Sequence, residues 1–317
     1  MSTLVSILLP TYNRGFVLGQ CIDTVIKQTY VDWELIIADD GSKDDTPEVG
    51  DRYAKLDPRI KYHRAPKNQG LTRNRNWAIS LSTGPLILMI EDDIIMYPDC
   101  LEKLVEAYTT LKHSGVKVGA VTPRLITERP EIDDLVHGRL SFAKGVYFYE
   151  GYRRRKQMVR DGLPSALNRF TGITYDNFDI DSGNVRETVK IHACSLFPRS
   201  IYGEVGGYGS IYEGGKASLE ETDMCFRISN HGYKLYFHPK AAEIHKRETK
   251  GGCGEGLSVN GHLYFMRNHA IFLWRNFGFR VLYMYPFFFG FIGTGIIRYT
   301  FARKKLAAAN VVPASNG

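Results

Sequence analysis

The chain has 317 residues, of which 44% are hydrophobic and 24% charged, and a net charge of +7. That much apolar material buries a full core, which excludes a disordered segment or a disulfide-stapled mini-protein. The positive charge suits nucleic acid, an anionic membrane or an anionic small substrate; the basic cluster Arg153-Arg154-Arg155-Lys156 lacks interleaved aromatics and no nucleic-acid motif is present, so nucleic acid is not an expected partner.

The start of the chain passes from Met1-Ser2-Thr3 straight into the apolar run Val5 to Leu9, without the basic and apolar regions of a secretory signal, so a cytoplasmic location is expected. The five cysteines, Cys21, Cys100, Cys194, Cys225 and Cys253, are scattered, with no C-x-x-C pair and no zinc-finger spacing. They read as free thiols in a reducing compartment.

Val5 to Leu9 reads as a first strand closed by Pro10. Leu18, Ile22, Val25 and Ile26 then recur at helical spacing, and Leu35-Ile36-Ile37-Ala38 is a second buried strand, which makes a βαβ unit. A third strand is expected at Ile60 to His63, a helix around Trp77, Ala78 and Leu81, and a fourth strand at Leu86 to Ile90. Pro98 opens a helix with Leu101, Leu104, Val105, Tyr108 and Leu111 on one face, before a fifth strand at Val118 to Val121. From Arg124 to about Val185 the periodicity is weak and long loops are expected. Beyond them the pattern predicts a strand at Lys190 to Phe197, a short helix from Pro198 to Gly206-Gly207, a helix from about Leu219 to Asn230 and a strand at Lys234 to Phe237. The fold class is α/β, an open, mostly parallel sheet flanked by helices, with a C-terminal helical and hydrophobic extension.

In such sheets ligands gather at the carboxyl ends of the strands. Three polar clusters fall there: Pro10-Thr11-Tyr12-Asn13-Arg14, Asp39-Asp40-Gly41-Ser42 and Glu91-Asp92-Asp93. Three adjacent acids repel one another unless a cation neutralises them, and Mg²⁺ or Mn²⁺ is held by one or two carboxylates together with substrate phosphates. The alternative is an acidic solvent-exposed turn. Asp39-Asp40 reads either as a turn or as an acceptor for a base N–H. Gly70-Leu71-Thr72-Arg73-Asn74-Arg75-Asn76 places two arginines at a helix start, where a diphosphate is favoured; ordinary helix-surface charge is the rival reading.

Together these segments resemble the family 2 glycosyltransferases, which have the GT-A fold. The resemblance covers roughly residues 4 to 245 and rests on "VSILLPTYNR", "WELIIADDGSKDDT" and "GLTRNRNWAI…LILMIEDD". It implies that Pro10, Thr11, Tyr12, Asp39 and Asp40 hold the nucleoside, with Asp40 at the base, and that Arg73 lies near the donor phosphates. Asp92 and Asp93 become the D-x-D-type pair, Asp93 the direct metal ligand, in a Glu-Asp-Asp triplet in place of the commoner Asp-x-Asp. "LEETDMCFRI" resembles the family's E-D-x-D-L helix start, which makes Glu221 the candidate base and Glu220 its rival, the bland alternative being helix N-terminal acids. His245, beyond the last expected strand, is either a further metal ligand or structural.

The resemblance implies residues 1–121 as the nucleotide-sugar half of one GT-A domain, 122–250 as its acceptor half, and 251–317 as the extension. Within the extension, 281–297 is uncharged, apolar and interrupted by Pro286, Gly290, Gly293 and Gly295, and basic residues Arg298, Arg303, Lys304 and Lys305 follow. A helix lying in a membrane interface is expected, or else packing on the core or on a homodimer partner. The expected reaction is inverting, metal-assisted transfer from a UDP-, GDP- or dTDP-sugar to a hydroxyl of a glycan or lipid-linked saccharide, at the cytoplasmic face of a membrane. The alternatives are a polyprenyl-phosphate sugar synthase and a sugar-nucleotide pyrophosphorylase-like nucleotidyltransferase. The second needs a G-x-G-x-R loop after strand one, where this chain has Pro10-Thr11-Tyr12.

Overall fold

A computed structural model describes residues 2–127, 158, 161–168, 170–181, 183–212, 219–246, 248, 259–290, 293–294 and 297–298, with backbone alone for 259–265. The basic cluster at 153–156, Cys253 and the basic residues at 303–305 lie outside the described residues.

The strands are β1 (Val5–Thr11), β2 (Trp33–Asp39), β3 (Ile60–Arg64), β4 (Leu86–Met89), β5 (Ile94–Met96), β6 (Val118–Thr127), β7 (Ser165–Leu167), β8 (Thr174–Asp176), β9 (Arg186–Thr188), β10 (Leu196–Pro198) and β11 (Lys234–His245). The helices are α1 (Gly15–Ile26), α2 (Thr46–Leu56), α3 (Leu71–Leu81), α4 (Cys100–His113), α5 (Ser200–Val205), α6 (Glu220–Asn230) and α7 (Val259–Phe277). The main sheet runs β3-β2-β1-β4-β10-β6-β11-β5, with β9 also on β11, and β7 pairs with β8 in a separate hairpin. β1, β2, β3 and β4 are parallel; β10 runs against both β4 and β6, so β6 and its parallel neighbour β11 point the same way as β1.

Both faces of this sheet are covered, which is why the central strands read as unbroken apolar runs. Side chains alternate across a strand, so Val5, Ile7 and Leu9 pack with Leu18, Ile22 and Val25 of α1 and with α4, while Leu8 packs with Ala78 of α3 and with α5 and α6. A smaller cluster joins Tyr212, Phe272, Leu273 and Met284 and seats α7 on the domain.

Several boundaries differ from the expectations. Pro10 does not close β1, which continues to Thr11, because a proline without N–H is harmless where the ladder bond is not required of it. The expected strand at Lys190 to Phe197 is reduced to Leu196–Pro198, since Ser195 Oγ donates to the carbonyl of His192 and curls the preceding segment. The last strand does not end at Phe237. Pro239 is absorbed in a register shift between His238 and Ala242, and β11 runs on to His245. β5 and the β7–β8 hairpin were not expected, being only three residues per strand.

Candidate active site

The parallel strands β1, β2, β4, β6 and β11 end at one edge of the sheet, and the polar clusters meet there. Ser42 binds the first two ends together. Its hydroxyl accepts the Asn13 N–H and donates to Asp39 Oδ1, while Tyr62 OH donates to Asp39 Oδ2 at 2.6 Å. Asp39 is therefore fully buried with both oxygens engaged in holding the loop. Asp40 accepts the N–H groups of Gln69 and Gly70, at 2.8 and 2.9 Å, and so fixes the entry to α3. Gly70 takes φ +90 at that turn, a conformation that favours glycine. Burial pushes the Asp40 carboxyl up, and these two N–H groups offset only part of that. Tyr12 is half-buried at the end of β1, and Arg73 is exposed on the first turn of α3.

Beyond β4 the acids separate by direction. Thr11 Oγ1 donates to Asp92 Oδ2 at 2.7 Å, and Arg14 bridges Asp92 and Asp93, with Nη1 3.5 Å from one and 3.1 Å from the other. Burial pushes the Asp92 carboxyl up to about 7 against the pull of Arg14 and Thr11. Asp93 Oδ2 also accepts the Glu248 N–H, leaving Oδ1 to face His245 Nε2 at 3.2 Å. Burial would raise Asp93, but the hydrogen bond and charge of His245, aided by Arg14, hold it below the usual carboxylate range. Glu91 Oε2 lies 3.8 Å from the same His245 nitrogen.

Glu91, Asp93 and His245 thus offer three ligand atoms within 4.8 Å of one another. The imidazole and hard oxygens suit Mn²⁺ or Mg²⁺ with open positions for phosphate. Asp92 is not in this group; it accepts from Thr11 and lies 3.5 Å from Arg14, which also reaches Asp93. Strand continuation through Pro239 is what delivers His245 here.

Arg75 links this group to the second half of the chain. It has no exposed surface; its Nη1 lies 3.1 Å from Glu220 Oε1 and 3.2 Å from Glu221 Oε1, and its Nη2 lies 3.1 Å from Glu91 Oε1. The guanidinium also lies 5.1 Å from the centre of the Tyr208 ring. Burial raises Glu220 to about 8, reinforced by the charge of Glu221 and opposed by Arg75. The Glu220 side chain is 7% exposed, whereas that of Glu221 is 27% exposed and lines a small recess with Ile191, His192, Ala193, Tyr208 and Met224. Arg75, expected with Arg73 as one of two helix-start arginines suited to a diphosphate, is instead fully buried among Glu91, Glu220 and Glu221; Arg14 has no expected role, because a single arginine in a turn carries no spacing signal.

The model of Glycosyl transferase family 2 matches residues 6–206. The chain belongs to glycosyl transferase family 2. It is a glycosyltransferase of the GT-A fold, and the likenesses to individual members bear on fold and class. A glucosyl-dolichyl phosphate glucuronosyltransferase of Haloferax volcanii is 26% identical over 248 residues, 76% of this chain and 69% of that one. Glycosyltransferase GlyG of Streptococcus pneumoniae is 33% identical over 106 residues, and the match spans only 35% of its length. Among solved structures, a mannosyltransferase of Pyrobaculum calidifontis in complex with GDP-Man and Mn²⁺ superposes with a TM-score of 0.52 at 16% identity, covering 98% of this chain and 76% of that one. TarS of S. aureus gives 0.54 at 11% identity, covering 90% of this chain and 42% of that one.

Proposed function

We propose that this family 2 member is an inverting transferase that moves a sugar from a nucleotide-diphosphate sugar to a hydroxyl of a lipid-linked saccharide or related glycan at a membrane surface. The observation that carries the reading is the Arg75 bridge, in which Glu91, of the cation-ligand group, and Glu221, at the start of α6, share one guanidinium. Glu221, the more exposed of the two helix-start acids, takes the proton of the acceptor hydroxyl as its oxygen attacks C1 of the sugar. The nucleotide diphosphate leaves from the opposite face, so the anomeric configuration inverts. Arg75, with Nη1 3.2 Å from Glu221 Oε1, holds that carboxylate in place. Tyr12, Asp40 and Arg73 border the nucleotide end, with Thr11 and Asp92 beneath it. A divalent cation held by Glu91, Asp93 and His245 would offset charge developing on the leaving diphosphate.

Two comparisons support the substrates. The Pyrobaculum structure holds GDP-Man with Mn²⁺, and the Haloferax relative is a glucosyl-dolichyl phosphate glucuronosyltransferase. Among the described residues no helix is long and apolar enough to cross a membrane. The membrane contact proposed is at the surface, through the exposed apolar side chains Phe279 and Leu282.

Incubation with Mn²⁺ and a panel of nucleotide sugars should give slow donor hydrolysis with one of them, faster turnover with a lipid-linked saccharide, and neither after chelation. Asp93→Ala should lose metal-dependent donor binding, read by thermal shift, together with turnover. Metal-independent turnover, or unchanged metal-dependent binding in Asp93→Ala, overturns the cation role.

A further inference from the structure

A second set of ligand side chains lies beside the small recess that Glu221 lines, apart from Glu91, Asp93 and His245. His192, Cys194 and Glu243 are all buried and offer one nitrogen, one sulfur and a carboxylate within 4.8 Å of one another. Glu243 is the one that packing alone does not explain. Glu243 has no exposed surface; no N–H or O–H donor among the described residues matches its oxygens, and the weak S–H donor of Cys194 faces it. A carboxylate withdrawn from water without a counter-charge is costly, and nothing in the mechanism uses this one. Its nearest basic atom, His192 Nδ1, stands 3.6 Å away, too far for a direct hydrogen bond.

His192 is tethered from its far side. Its Nε2 lies 2.9 Å from the Pro123 carbonyl oxygen, which can only accept, so Nε2 carries the hydrogen. The Nδ1 lone pair is then left facing Glu243, with no partner of its own. Metal-binding histidines are oriented in this way, one ring nitrogen donating to a backbone carbonyl and the other turned to the ion. Cys194 completes the set with a thiol that is 1% exposed.

We propose that His192 Nδ1, Cys194 Sγ and the Glu243 carboxylate form a structural site for a borderline-soft divalent cation of the zinc type. Ligands about 2.0–2.3 Å from a tetrahedral zinc stand roughly 3.3–3.8 Å apart, which the His192 to Glu243 separation already meets. A bidentate carboxylate brings the donor count to four. On binding, Cys194 releases its proton to solvent, and thiolate plus carboxylate balance the dication, leaving a buried site with no net charge. The cation would clip β11 to the curled 191–195 segment, whose Ile191, His192 and Ala193 wall the recess beside Glu221. The site is independent of the transferase reading.

The test is elemental analysis of full-length protein made in zinc-supplemented medium, purified without a metal-affinity step and dialysed against a mild chelator. About one equivalent of zinc is expected in the wild type and in Asp93→Ala, and little in Cys194→Ser or Glu243→Gln. Wild-type protein that is folded by circular dichroism yet free of zinc overturns the proposal, as does zinc retained undiminished in Cys194→Ser; either would leave a protonated Glu243 sharing hydrogen bonds as the explanation. Should the variants not fold, wild-type protein refolded with Co²⁺ decides. A thiolate-to-cobalt charge-transfer band in the near ultraviolet supports the site, and its absence overturns it.

Discussion

The Arg75 guanidinium has no exposed surface and three carboxylate neighbours, so its removal leaves Glu91, Glu220 and Glu221 facing one another without a counter-charge. Arg75→Ala should lower stability by about 3–5 kcal/mol in urea unfolding, the range for breaking a buried pair from one side; a loss within the error of the measurement would show the acids to be solvated. The two candidate bases separate by kinetics. Glu221→Gln should reduce kcat by about 10²–10⁴ with the donor KM little changed, whereas Glu220→Gln should cost far less. Full activity in Glu221→Gln would favour an acceptor that is already ionised, as in a polyprenyl-phosphate sugar synthase. Glu220 also has a stability signature. Its folded pKa is raised from 4.5 to about 8, so the wild type is favoured at low pH and loses stability between those values as Glu220 is forced to ionise. The Tm of Glu220→Gln relative to wild type should therefore rise from pH 5 to pH 8.5. At this scale the sequence named most of the acids but did not join them to their cations, because Arg14 and Arg75 reach their partners across 79 and 145 residues of chain.

Elements are held in register by polar locks as well as by the core. Glu34 on β2 accepts from Ser6 Oγ on β1, from Thr83 N and Oγ1 before β4, and from Lys61 Nζ on β3. Burial alone would raise its pKa, but these donors, Lys61 foremost, bring it down from 4.5 to about 2. The lock is present above pH 4.5 and is lost as pH falls toward 2, a loss of about 2 kcal/mol for charge-assisted bonds of this kind. Urea unfolding between pH 6 and pH 2.5 should show that slope in the wild type and not in Glu34→Gln. The α2 to β3 contact is set by absence of a side chain. A Cβ at Gly50 would sit 2.3 Å from Tyr62 Cδ2, and Tyr62 is the residue that holds Asp39. Gly50→Ala should destabilise by about 1–3 kcal/mol and weaken donor binding through the displaced Asp39-Ser42 loop; wild-type donor affinity would separate the two effects. Long periodic elements were legible in the sequence, since burial on both faces of β1, β2 and β4 demands unbroken apolar runs. β5 and the far end of β11 were not, because three residues or a bulge at Pro239 leave no period to read, and β10 was read too long because the apolar run before it curls instead of pairing.

Across the whole molecule the C-terminal extension presents two faces. In the helical stretch 281–290, Met284 and Phe288 are buried, while Leu282 and Phe287 point outward together with Trp274 and Phe279; Phe279 and Leu282 are 79% and 74% exposed. Deleting this segment would strip the cluster around Tyr212 and Phe272, so point changes are the better probe of membrane contact. Wild-type protein should sediment with anionic vesicles, and Phe279→Ser with Leu282→Ser should reduce partitioning by at least about tenfold without lowering Tm. Unchanged partitioning would assign this face to protein contacts. Residues 291–292 and 295–296 of the apolar segment lie outside the described residues.

The sequence by itself determined the α/β class, the order of the first four strands and the three polar clusters at their carboxyl ends, because these are local consequences of period, turn chemistry and strand direction. Only the tertiary structure decided which acids lie together. Glu91 and Asp93 come within reach of His245 because β11 carries its histidine past Pro239 to the same edge, while Asp92 accepts from Thr11. His192, Cys194 and Glu243 likewise meet only when β10 and β11 flank β6, a proximity that no spacing along the chain encodes.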